Sequence, residues 1–159
     1  MTTLAPLLAG AVAAQIMLVA FAAGQQAGWT RLEWRYLLGS LILGTAPARH
    51  LRVVGHLLHI ALGVGSTAIY ARVSDNGAEA LTWLAAGLMQ AAIVTLCIGL
   101  LGVLHPAMIR PTRPASGRRV LEAPGDFGRN WGIRTPLVIY LAHAVFTVAS
   151  LGITRILPT

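Results

Sequence analysis

Hydrophobic positions in this chain fall in long, nearly unbroken runs rather than at the spacing of a half-buried helix or strand. Four runs stand out, at residues 4–24, 52–71, 80–104 and 136–157. Each can cross roughly 30 Å of hydrocarbon, which takes about 20 residues at a helical rise of 1.5 Å. None alternates, and a chain inside lipid must satisfy its own backbone polar groups, so each run reads as a helix. The pattern predicts an all-α fold: a four-transmembrane-helix bundle forming one domain over residues 1–159. Loops 25–51 and 105–135 then lie on one side. Gly28, the Ser74 to Gly77 stretch, His105-Pro106 and the Pro111 to Pro136 stretch punctuate the connections.

A fifth apolar stretch, residues 36–48, is too short to span. Trp29, Trp34 and Tyr36 precede it and Arg49-His50 follow, groups that favour a membrane interface. It reads as a short interfacial or re-entrant helix before helix two, or as an apolar collar on that helix. The first run ends in Ala22-Ala23-Gly24, a faint likeness to a signal-peptidase site. Residues 1–10 carry no charged side chain, so the run is expected to be a retained span.

Composition agrees with lipid as the solvent. Hydrophobic residues make up 56% of the 159 and charged residues 11%, with a mean hydropathy of +0.71. Soluble domains carry about 25% charged residues. The net charge of +7 and pI of about 11.3 could suggest nucleic acid. The basic residues, however, sit in connections between apolar runs, where topology signals belong, so no nucleic-acid partner is expected. All twelve are arginine. Ten lie on one side: Arg31, Arg35, Arg49, Arg52, Arg110, Arg113, Arg118, Arg119, Arg129 and Arg134. Only Arg72 and Arg155 lie on the other. The positive-inside rule then predicts a bacterial plasma-membrane protein with arginine-rich loops in the cytoplasm and both termini outside.

Between helices in lipid, small residues permit close approach. Ala9, Gly10, Ala13 and Ala14 offer this on helix one, Gly55, Gly63 and Gly65 on helix two, and Gly99 and Gly102 on helix three. Gln15 and Gln90 fall near mid-membrane, where an unpaired amide is costly. Both are expected to turn inward to a hydrogen-bond partner. The single Cys97 is expected to be buried as inert packing.

The histidines are the chemically suggestive residues. His56 and His59 share a face of helix two, His105 ends helix three, and His143 lies near the start of helix four. Topology brings them to the arginine-rich end, with His59 and His143 both roughly 10 Å in by the helical rise. Intramembrane ionisable groups are functional candidates. His59 and His143 could ligate a haem b axially. His59, His105 and His143, with the thioether of Met108, could instead hold copper. The plain alternative is that the imidazoles hydrogen-bond backbone carbonyls and one another. Proton handling is a further option, although Glu33, Asp75, Glu79, Glu122 and Asp126 all lie outside the spans.

The chain resembles an uncharacterised family of small bacterial four-helix integral membrane proteins, a domain of unknown function. The resemblance rests on Leu37-Leu38-Gly39-Ser40-Leu41, Leu57-Leu58-His59, His105-Pro106-Ala107-Met108, Pro124-Gly125-Asp126-Phe127-Gly128 with Asn130 and Gly132, Thr135-Pro136, and His143 with Phe146. It runs over most of the chain, implies no activity, and directs attention to His59, His105 and His143. In the last loop, the first half reads as a basic run at the headgroups. The second half could fold back as a lid or rest at the interface on Phe127 and Trp131.

The leading expectation is a non-catalytic accessory subunit of a larger membrane complex, of respiratory or oxidase type, whose partners are lipid and other membrane subunits or further copies of itself. The second is a histidine-ligated haem or copper redox protein. A small transporter or channel ranks third, since no charge lines a span.

Overall fold

A computed structural model describes residues 4–44, 46–73, 79–105 and 122–157. Met108 and Arg110, Arg113, Arg118 and Arg119 lie outside the described residues. Those described are helical or irregular, with no strand among them. Four helices are long and apolar enough to cross a membrane. They are α1 (Leu4–Gln26), α3 (Ala48–Val73), α4 (Glu79–Leu104) and α5 (Thr135–Ile156); the short α2 (Trp34–Leu43) precedes α3. The protein is a helical membrane bundle.

The helices do not pack in chain order. α1 lies between α3 and α5, α4 packs on α5, and α3 meets α4 only lightly. In lipid the hydrophobic effect does not drive helices together, so close packing and hydrogen bonds must. The glycines show where this happens. A Cβ on Gly10 would lie 2.7 Å from the Gly63 carbonyl oxygen, and one on Gly63 would lie 2.8 Å from the Ala14 Cβ. α1 and α3 thus cross backbone to backbone. Gly24 is similarly tight against Val138 of α5, and Gly87 of α4 faces Thr147 of α5. Gly65 meets open space instead. Gly99 and Gly102 turn toward the cap described below rather than toward another span.

α3 begins at Ala48, four residues before the apolar run suggested, because Arg49 and His50 are exposed and can extend the helix past the apolar stretch. α2 packs antiparallel along this first half of α3. Gly39 sits against Leu51 and Gly55 against Arg35, each in backbone contact. α2 therefore stands beside α3 as a hairpin and does not lie across the bundle end. Gly44, at φ 58, ends it, donating its N–H to Ser40 O at 2.9 Å.

Residues 122–132 fold back as a cap rather than trailing away. The 3-10 segment Asp126–Trp131 packs on α4 and α5. Asn130 Nδ2 donates to Ala123 O at 3.2 Å, and Trp131 Nε1 to Glu122 O at 3.0 Å. Thr30 and Thr135 share a 2.8 Å hydroxyl hydrogen bond, which ties the α1–α2 connection to the start of α5. Arg134 stacks over Trp29 with its guanidinium carbon 5.3 Å from the ring centre. Trp131 is buried, whereas Phe127, at φ 55, is exposed.

At the opposite end, Gln90 joins α4 to α3. It accepts from the Tyr70 hydroxyl and donates to Ser66 Oγ at 3.0 Å. Replacing Gln90 by leucine removes both bonds while keeping the volume. The expected loss is about 1 kcal/mol, because hydrogen bonds between spans are individually modest; a detergent thermal-melt comparison with the native chain measures it.

Candidate functional site

Three histidines are buried at the arginine-rich end of the bundle: His59, His105 and His143. Each bonds a backbone carbonyl. His59 Nε2 donates to Ala14 O at 2.9 Å, and its Nδ1 accepts from Trp34 Nε1 at 2.9 Å. That pattern fixes the neutral ring with its proton on Nε2. One side chain thereby joins α1, α2 and α3. His143 Nδ1 donates to Ile139 O, one turn back on α5, at 2.8 Å. His105 Nε2 donates to Ser40 O at 3.2 Å, linking the end of α4 to α2.

As arranged, His59 offers no free ring nitrogen to a haem, whereas His143 is engaged through Nδ1. An axial imidazole needs a free nitrogen lone pair. Both nitrogens of His59 are engaged, so ligation would first release Trp34 or Ala14. Nor do three or more His, Cys, Asp or Glu side chains among the described residues gather as a metal site would require. His105 lies against α2, and Met108 is outside the described residues.

The other sequence candidates divide. Gly63 lies at the α1–α3 crossing and Gln90 at the α3–α4 contact, whereas Gly99 lies 3.5 Å, measured from an added Cβ, from the Phe127 backbone nitrogen of the cap. Gln15 makes no hydrogen bond to the described residues. It lines a cleft instead, on the side of α1 away from the packed glycine face. Cys97 is exposed on the outer side of α4, not buried.

Sequence reasoning missed that cleft. It is about 510 Å³ in volume and lies where α1, α2 and α3 meet. Its polar lining comprises Gln15, Gln25, Arg31, Glu33, Arg35 and His56, and its apolar wall includes Leu18, Val19, Phe21 and Trp34. Phe21 stacks on Trp34 with ring centres 5.3 Å apart. Glu33 is clamped by Arg52 in a two-pronged ion pair, the second prong at 3.2 Å. The chain matches no known protein family, curated protein or solved structure. The reading below therefore rests on the site alone. Arg31, Glu33 and Arg35 could have been read as an interfacial cluster, but only the turn back from α1 into α2 places them opposite Gln15 and His56.

Proposed function

We propose that the chain is a non-catalytic accessory subunit of a larger membrane assembly in the bacterial plasma membrane, with its arginine-rich end in the cytoplasm and both termini outside. The observation that carries this reading is the use of the buried imidazoles and Gln90. His59, His105 and Gln90 hold one helix to another, and His143 braces its own helix. Polar groups engaged this way make a rigid scaffold. α4 has the surface for a neighbour: it is the least buried of the four spans, at 22% against 39% for α1 and for α5. Leu81, Met89, Ile93, Leu96 and Val103 are exposed along it. The proposed occupant is an apolar span of another subunit.

The single cysteine, Cys97, lies on that side of α4 and supplies the test. A benzophenone carried on Cys97 and photolysed in native membranes is expected to give one discrete product with a second membrane protein, which also stays with the chain in mild detergent. Lipid adducts alone, or a product of two copies of this 16.7 kDa chain, would overturn the heteromeric reading. So would a Soret band in the purified protein that disappears in H59A and H143A, which would establish the haem reading instead. A reporter fused after Thr159 that proves cytosolic would reverse the proposed orientation.

A further inference from the structure

The cleft has features that the scaffold role does not use. His56 Nδ1 is buried and has no hydrogen-bond partner among the described residues. Gln15, on the facing helix and only partly buried, has none among the described residues either. A protein interior rarely leaves a buried ring nitrogen such as His56 Nδ1 unsatisfied, and the exception calls for an explanation such as a bound molecule. Both groups line the same cavity.

Charge at the mouth of the cleft points to the class of ligand. Arg35 lines it and forms no ion pair among the described residues. Arg31 lines it too, although its Nη2 already donates to Asn130 O and reaches Glu122 at 3.3 Å. The one carboxylate in the lining, Glu33, is neutralised by Arg52. The balance is positive. Planar guanidinium groups suit phosphate oxygens in particular.

The wall points to an amphiphile. Val19 of α1 is 68% exposed, and with Leu18 and Ala22 it continues the cleft onto the apolar outer surface of the helix. Gln15 lies eleven residues before the end of α1, so the cleft reaches roughly 16 Å in from the arginine-rich end at the helical rise. A volume of about 510 Å³ is in the range of small-molecule sites and takes a polar head, not a whole lipid.

We propose that this cleft binds a phosphate-headed amphiphile. Its phosphate sits between Arg35 and Arg31, and a hydroxyl or ester oxygen deeper in the head bonds His56 Nδ1 and Gln15. Its hydrocarbon lies along Leu18, Val19 and Ala22. The shared chemistry is a phosphate ester, and its source is a membrane phospholipid or a soluble phosphate ester.

Native mass spectrometry of the full chain in detergent, supplied with phosphatidylglycerol or phosphatidylcholine, tests it. One phosphatidylglycerol per chain is expected to stay bound, in preference to phosphatidylcholine. Arg35→Gln is expected to weaken retention roughly tenfold, as loss of a charge-assisted hydrogen bond does. Arg35 is exposed, so this variant should keep the fold. His56→Phe and Gln15→Leu, which act at the deep end, should each weaken retention several-fold without altering the melting temperature. Displacement by millimolar glycerol 3-phosphate would assign the site to a soluble ester, and resistance to it would assign the site to the lipid; either outcome supports phosphate binding. Equal retention by the native chain and by R35Q, H56F and Q15L overturns the proposal. So does equal retention of the two lipids with no binding of glycerol 3-phosphate.

Discussion

Gly55→Ala is expected to unfold the arginine-rich half of the bundle, at a cost of about 3 kcal/mol or more. An added Cβ would stand 1.7 Å from Arg35 O and 2.7 Å from Gly39 N. Both are backbone atoms, so no side-chain rotation can relieve the clash. α2 would have to leave α3, and the costs of overpacking would be exceeded. Gly39→Ala should act alike, since its Cβ would stand 1.8 Å from Leu51 O. Gly65→Ala provides the control. Nothing lies within 4 Å of its Cβ, so alanine there should stabilise the helix by about 0.5–1 kcal/mol. Thermal melts of the three variants in detergent, scored by the monodisperse fraction, check this. A Gly55→Ala protein as stable as the native chain would show that α2 is not held against α3.

His59→Leu should also be damaging. It leaves the Trp34 indole N–H without its acceptor and removes a second donor from Ala14 O, which keeps its bond within α1, at the junction of α1, α2 and α3. A buried polar group left unsatisfied costs about 1–3 kcal/mol, so the orphaned Trp34 N–H should lower stability by about that much. His59→Gln, which can both donate and accept, should recover part of the loss. The near-ultraviolet circular dichroism and fluorescence of Trp34, stacked on Phe21, should change with His59→Leu and revert partly with His59→Gln. Unchanged stability in His59→Leu would mean that the imidazole is not structural, and ligand binding would then become its best remaining role.

The His59 and Gly55 predictions depend on contacts that the sequence only partly foreshadows. His59 is conspicuous because an imidazole inside an apolar run is unusual, and its depth follows from the helical rise. That it bonds Trp34 and Ala14 O could not be read from spacing, since Trp34 lies 25 residues away and the carbonyl belongs to another span. Gly55 appears in the sequence as one small residue among several. Gly65, equally small, faces open space, and Gly87, not singled out, touches Thr147.

The sequence by itself determined that the chain is helical and membrane-embedded, where its four spans run, and which residues carry polar chemistry, while leaving residues 36–48 as either a short helix or a collar on helix two. Those properties follow from run length, composition and the position of arginine, all of which are local. Only the tertiary structure decided the neighbours: α1 between α3 and α5, the upright α2–α3 hairpin, the folded-back cap, Gln15 on a cleft and Cys97 facing out. The reason is that lipid is as apolar as a bundle interior. Spans that are apolar all round carry little hydrophobic contrast between their inner and outer faces, so which residue meets which is settled by backbone fit and hydrogen-bond partners once the helices are together.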